Sequence, residues 1–440
     1  MFNDGPRRSR TPRFRTQWSA LPVLALSLAV AGCASGSSGT SGGASGAKEI
    51  RIGLIFPTTG SMAALGDDQS RGAKLVLDWA NQHGGINGSK IRIFEADSQS
   101  DPGVAATVAQ RLIDQDQVQV LIGSYASGLA QAEVPVAARN KVLLWEVGAV
   151  SPTVNPAGNK YFVRTVGTSA TYAAADIDFL ENFLAPKLGR SPAQVRIGIA
   201  HEDGPFGTSV AAALVAQAKA KGLMIVANEA YPETSADLTP VVLRLKQQRP
   251  DVVFIAPLVS STMLFWQAAK TQNLDMAAII GSAGFSSSTF LQKFGAKGVE
   301  GVYDVEPPAV ENMSSASLAP DAKALLDQLR TTFQAQTGHP CLVHCGDGIG
   351  GAYILIKGVL PQAVASGSVT GDSLRAAAAQ TDMPDASTPQ GFGAKFDAQG
   401  DNTLARSVIM QWQGGKLNVV YPSAVAVAPP IYPMPTWSQR

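Results

Sequence analysis

Between Val118 and Arg139 the chain reads VQVLIGSYASGLAQAEVPVAAR, a run rich in β-branched residues that breaks at Gly123 into the small, hydroxyl-bearing turn Ser124, Tyr125, Ala126, Ser127. A helix-like segment follows. In an open α/β sheet, small molecules bind beyond the carboxyl ends of strands, where helix N-termini present unpaired N–H groups to anions. Ser127 is therefore a candidate helix cap, a candidate ligand contact, or both. Other reactive residue types are sparse. The chain has four histidines, of which His83, beside Gly84-Gly85, reads as a helix-end residue favourable to the dipole. There is no G-x-S-x-G elbow, H-E-x-x-H pair or Walker A loop. Gly346-Asp347-Gly348-Ile349-Gly350-Gly351 matches G-x-G-x-x-G, but the preceding HPCLVHC holds a proline and no strand-like alternation. Close helix packing through small residues accounts for it better than a dinucleotide loop. His339, Cys341, His344 and Cys345 form the one metal-like cluster. Outside the cytoplasm a disulfide is favoured over zinc. Side chains four apart in a regular helix have Cβ atoms about 5–6 Å apart, beyond the roughly 3.5–4.5 Å a disulfide wants. A Cys341–Cys345 bridge thus requires a loop or distorted helix start, consistent with Pro340. No catalytic residues, metal site or cofactor are expected.

The compartment follows from the N-terminus. Arg7, Arg8, Arg10, Arg13 and Arg15 precede an apolar run from about Leu21 to Ala31 that ends in Val30-Ala31-Gly32-Cys33. That is the layout of a secretory signal peptide over residues 1–32. The run is short of the roughly 20 residues of a spanning helix. Its end resembles a bacterial lipobox, which makes Cys33 the expected lipidation site, and the Gly/Ser segment to residue 48 a tether. At 440 residues, two domains are expected; with 45% hydrophobic residues, 16% charged and a net charge of +1, nucleic acid is not an expected partner.

The elements that must carry the turn alternate. EIRIGLIFP from Glu49 reads as a buried strand, Ala73 to Ala80 as a helix, Lys90 to Ala96 as a strand, and Asp101-Pro102 as the cap and first residue of a helix to Asp114. Strands at Val118–Ile122 and Val142–Trp145 follow. A second series restarts after Arg164-Thr165, with strands at Val195–Ala200, Leu223–Glu229, Asp251–Ala256, Ala277–Gly281 and Gly301–Val305. Such alternation predicts parallel sheets covered on both faces. Beyond Asp321 the pattern is helical until strand-like pieces at Gly393–Phe396, Arg406–Trp412 and Lys416–Val420.

Together, IRIGLIFPTTGSMAALGDDQSRGAKLVLDWANQHGGINGSKIRIFEADSQSDP, VQVLIGSYAS, RIGIAHEDGPFGTSVAAAL, DVVFIAP, IIGSAGFSS and FGAKFDAQGDN resemble the type I periplasmic solute-binding proteins of the branched-chain amino-acid ABC transporter family, in lipoprotein form. The resemblance runs from Glu49 to about Tyr421. It implies an α/β fold of two doubly wound parallel-sheet lobes joined by three hinge crossings, near Val166–Ser169, Gly301–Asp304 and Asp385–Gly391. The implied division gives residues 49–167 plus 303–388 to the N-terminal lobe, 168–302 plus 389–425 to the C-terminal lobe, and 426–440 to a Pro-rich tail. It implies an ABC importer component that traps a small organic ligand, an amino acid or a carboxylate- or amide-like compound, and delivers it to a permease. A ligand-sensing module of the same fold and an exported enzyme are the alternatives.

The family grips an amino acid's carboxylate with a hydroxyl at the position of Ser127, helped by backbone groups and a Thr where this chain has Gly148-Ala149-Val150. The resemblance places Phe206 in the second lobe's aromatic position and Ala283 where an acid is expected. Leu65 replaces an aromatic, and Tyr125, Tyr172 and Phe285 are available. With the acid missing, Asp203, Glu146 or Asp304 must answer an ammonium, or else the ligand is an aromatic or aliphatic carboxylate or an amide.

Overall fold

The computed structural model describes residues 49–440; the expected signal peptide, Cys33 and the tether lie outside the described residues. The chain begins with Ile50–Phe56 (β1), Ala63–Gln82 (α1), Ile91–Asp97 (β2), Pro102–Asp114 (α2), Val120–Gly123 (β3), Ser127–Asn140 (α3), Leu143–Glu146 (β4) and Phe162–Arg164 (β5). The apolar runs become strands because each is buried between helices; every residue of β3 and β4 is buried. The Asp101 carboxylate accepts from Val104 N at 2.9 Å and Pro102 opens α2, the cap read from the sequence. These strands form an all-parallel sheet in the order β2-β1-β3-β4-β5. The order reverses between β1 and β3, so the crevice for a ligand opens at the carboxyl end of β3.

The second series is Ser169–Phe179 (α4), Ala185–Leu188 (α5), Arg196–Glu202 (β6), Pro205–Ala220 (α6), Met224–Tyr231 (β7), Thr239–Gln248 (α7), Val252–Ala256 (β8), Val259–Thr271 (α8), Ala278–Gly281 (β9), Ser288–Val299 (α9) and Tyr303–Glu306 (β10). There follow Pro320–Thr337 (α10), Val343–Ile354 (α11), Leu360–Ala365 (α12), Gly371–Ala379 (α13), Asp382–Met383 (β11), Ala394–Lys395 (β12), Val408–Gln413 (β13) and Lys416–Tyr421 (β14). The second sheet runs β14-β13-β10-β9-β8-β6-β7. It is parallel except at one edge. There β13 runs antiparallel to β10, and the Gly414-Gly415 turn, with φ of 58° and 80°, reverses the chain so that β14 runs antiparallel to β13.

The helices after β10 return to the first sheet. Trp145 Nε1 donates to Gly351 O at 2.9 Å and Gln119 Nε2 to Val369 O at 3.0 Å. The glycine-rich motif is part of α11 and packs on α1 at backbone contact. A Cβ at Gly348 would lie 2.1 Å from Gln69 O, and one at Gly72 2.3 Å from Cys345 O. The run Val343–Ala365 is long and apolar enough to cross a membrane, but 67% of its apolar window is buried, as in a core helix.

Two expected crossings move. The first lies between β5 and α4, near residues 165–168. The second follows Glu306 rather than Gly301–Asp304, because β10 pairs with β9 and β13 and so belongs to the second sheet. The third lies beyond Asn402 rather than at Asp385–Gly391. Arg164 N donates to Gly400 O at 2.8 Å, Arg164 Nη2 meets Asp401 Oδ1 at 2.7 Å, and Asn402 Nδ2 donates to Thr165 O at 2.9 Å, which holds residues 400–402 on the first lobe.

Candidate ligand-binding site

The chain leaves β3 at Gly123 and turns through Tyr125, whose φ of 84° is uncommon for a residue with a side chain. Glu146, at the end of β4, holds this turn and the next. Its carboxylate accepts from the N–H groups of Ser124 at 2.9 Å and of Gly148 and Ala149 at 2.8 Å, and from the Ser124 hydroxyl at 2.9 Å. Gly148 has no room for a side chain, since a Cβ would lie 2.8 Å from both Tyr125 O and Gln69 Nε2. Ser127 is not the helix cap. Ala126 holds that position without a side-chain bond, and Ser127 Oγ instead accepts from Ser151 N at 3.1 Å. The hydroxyl proton is left to donate.

Facing this turn, the second lobe offers Phe206 in the first turn of α6, Tyr172 on α4, and Ala283 in the short helix after β9 with φ 49°. The Glu202 carboxylate accepts from Gly204 N and Gly207 N and fixes the start of α6. Glu306 closes the cavity from β10, and His344 and Asp347 close it from α11. Tyr125, Ala126, Ser127, Gly148, Tyr172, Phe206, Leu258 and Ala283 complete the lining of a cavity of about 20 Å³. An outer groove of about 240 Å³ shares Ala126, Ser127, Phe206 and Leu258 with it and adds Glu202 and Glu233.

The electrostatics are one-sided. Burial pushes Glu306 up to about 7, although the Ser286 hydroxyl, the Ala283 N–H and a side-chain hydrogen bond with Asp304 oppose the shift. Asp304, two residues back on the same strand face, is fully buried and hydrogen-bonded to Glu306, and burial and Glu306 hold it well above the carboxylate range. Burial and Glu306 also raise Asp347, which accepts from Gln390 Nε2 at 2.6 Å. His344 Nε2 lies 3.6 Å from Glu306 Oε1, yet burial pushes the ring down to about 3, so this is a neutral imidazole rather than an ion pair at pH 7. His344 Nδ1 and the Tyr125 hydroxyl lack partners.

Of the residues singled out in the sequence, Tyr125, Ser127, Gly148, Tyr172 and Phe206 meet at the cavity. Others stand elsewhere. Leu65 is buried in the core on α1. Phe285 turns inward, edge-on to Trp266 with centroids 6.0 Å apart, and its carbonyl accepts from Trp412 Nε1. Asp203 is exposed and accepts from Glu233 N at 2.9 Å, because one step beyond Glu202 the side chain changes face. Ala149 is buried behind the turn, its N–H spent on Glu146 and its carbonyl accepting from Arg164. Val150 belongs to the second lobe's core.

Cys341 and Cys345 are joined, with Cα atoms 5.3 Å apart, where a loop enters α11. Among the described residues no group of three or more His, Cys, Asp or Glu is placed to hold a metal. The sequence reading missed Glu306, Asp347 and Glu202. The available signal was an acid at every second position of the otherwise buried strand YDVE, and a lone Asp among the glycines of α11.

A family model described as periplasmic binding protein matches residues 49–416. The chain is 31% identical over 383 residues to Leu/Ile/Val-binding protein homolog 8 of Brucella abortus, covering 86% of this chain and 92% of that one. It is 29% identical over 414 residues to homolog 7 of Brucella suis, covering 92% of this chain and 98% of that one. Its fold matches the branched-chain amino acid transporter substrate binding protein LivJ of Streptococcus pneumoniae in complex with isoleucine, with TM-score 0.70, 20% identity and coverage of 88% and 100%. It also matches a solute binding protein of Rhodopseudomonas palustris in complex with benzoate, with TM-score 0.70, 19% identity and coverage of 87% and 97%. Two α/β lobes with a polar cavity at their meeting point, together with these matches, place the chain in one family: it belongs to the periplasmic binding proteins of type I, the branched-chain amino-acid binding group.

Proposed function

We propose that this chain is a non-catalytic, extracytoplasmic solute-binding lipoprotein of an ABC importer, anchored through Cys33, that takes a small organic ligand between its lobes and hands it to a permease. The observation that carries this reading is the cavity where Ser127 and Tyr125 of one lobe face Phe206 and Tyr172 of the other. The three crossings beside it can act as a hinge. Ser127 and the start of α3 suit an anionic or carbonyl end of the ligand. Phe206 and Tyr172 suit its apolar part. Relatives named for leucine, isoleucine and valine, and neighbours holding isoleucine or benzoate, support a small organic ligand.

The test is a thermal-shift screen of amino acids, amines, amides, aromatic acids and dicarboxylates. A ligand at about 100 times its Kd adds roughly 2.7 kcal/mol to apparent stability. The shift is expected to vanish in Phe206→Ala and Ser127→Ala and to persist in Asp203→Ala. No shift with any compound, or a shift that survives both cavity variants, would overturn the reading.

A further inference from the structure

We propose, building on the solute-binding reading above, that the ligand of this cleft is a small organic compound with two cationic nitrogens, an ammonium paired with a second ammonium or with a guanidinium. The lining carries the argument. From mouth to floor it holds Glu202, Glu233, Glu306 and Asp347, and it includes no Lys or Arg. The nearest buried guanidinium, Arg164, is consumed by Asp401 and by the carbonyls of Ala149 and Ser151. Two buried polar atoms of the lining, His344 Nδ1 and the Tyr125 hydroxyl, have no partner among the described residues. Buried polar atoms are costly until a partner reaches them.

Stoichiometry separates this ligand from a simple amino acid. Glu306 comes from β10 and Asp347 from α11, so two carboxyls on different elements face the same small volume. Asp347 has a neutral donor in Gln390 Nε2, so a neutral amino acid, with its single ammonium, leaves one of the two carboxyls without a cation. A second cationic nitrogen pairs both. Tyr172 and Phe206 supply faces for the carbon stem and for cation–π contact. The exposed Glu233 beside the outer groove raises the local concentration of a cation.

The groups that face Glu306 are Asp304 on its own strand, with Asp176 of α4 acting on Asp304, Tyr172 from α4, Tyr125 from the first turn, Ser286 and the Ala283 N–H from the turn after β9, and His344 and Asp347 from α11. None is a cation at pH 7. A cation must meet ionised carboxylates, so its binding displaces protons and tightens as pH rises. An anionic ligand would use the same carboxyls as protonated donors, and its binding would weaken as pH rises.

Calorimetry and thermal shift on the full chain, with L-arginine, L-lysine, agmatine, putrescine, L-leucine and benzoate as probes, test the proposal. At least one of the four dicationic probes is expected to bind, more tightly at about pH 8 than at about pH 6. Its Kd should rise by about tenfold or more in Glu306→Gln and again in Asp347→Asn, with the ligand-free variants at least as stable as the parent. The two substitutions sit on different elements, so one remains informative should the other fail to fold. Arginine or lysine binding without agmatine or putrescine assigns the ligand's carboxylate to Ser127 and α3; the reverse assigns a plain diamine; both support the proposal. Binding of leucine or benzoate with no response to the dicationic probes overturns it and leaves the solute-binding reading standing. Silence from all six probes overturns it as well, and the wider screen above then decides the solute-binding reading.

Discussion

Glu146 and Glu306 are both buried glutamates at the ends of strands, one in each sheet, and their surroundings differ in a way that separates scaffold from site. Glu146 spends its carboxylate on the N–H groups of Ser124, Gly148 and Ala149 and on the Ser124 hydroxyl. It ties two turns of one lobe together and has little left for a ligand. Glu306 is held by the Ser286 hydroxyl, the Ala283 N–H and Asp304, an acid that burial keeps protonated, and it faces the cavity between the lobes. A buried acid spent on the backbone of its own turns is structural; one that faces a cavity beside other acids is placed for something that arrives.

The sharpest way to break this comparison is to remove each acid. Glu146→Leu orphans two buried N–H groups, of Ser124 and Ala149, and the half-buried one of Gly148, and a loss of about 4 kcal/mol is expected in chemical denaturation; a loss under about 1 kcal/mol would show that the turns do not depend on it. Next in size is the disulfide that enters α11 just before the cavity residue Asp347. Replacing Cys341 and Cys345 by serine is expected to cost about 2 kcal/mol for so short a loop, and equal stability of the two forms in denaturant would contradict this. The remaining comparison is the effect of pH through Glu306. Its folded pKa, about 7, exceeds the ordinary glutamate value of 4.5, so its contribution to stability is whole below about 4.5 and is lost as pH climbs through about 7. His344, lowered from 6.5 to about 3, gives the opposite slope below 6.5, and comparison with Glu306→Gln cancels it. The parent should lose stability relative to Glu306→Gln between about pH 4.5 and pH 7; parallel curves would mean that Glu306 titrates as an exposed acid.

The fold was legible because β-branched runs alternate with helical periods, and both central strands of the first sheet are buried end to end. The crossings were less so. Nothing in the sequence near Gly400–Asn402 announces that Arg164 will hold that segment on the first lobe. Within the site, the turn Ser124–Ser127 was legible from its small residues, whereas Phe285 and Asp203 were misplaced. A ring beside a ligand-facing turn can as easily join the core, as Phe285 does on Trp266. A shift of one residue along an extended chain reverses the face, which exchanged Glu202 for Asp203. Glu306 and Asp347 come from segments far apart in the sequence, and only the folded chain brings them to one cavity.

Binding of L-arginine followed by calorimetry near pH 7, in buffers of different ionisation enthalpy, tests the central claim most directly because it counts protons at the cleft itself. If the cleft meets its ligand with carboxylates that burial keeps protonated in the free protein, binding will release protons, and the release will shrink in Glu306→Gln. Proton uptake, or binding of equal strength and no proton exchange in both proteins, would contradict it.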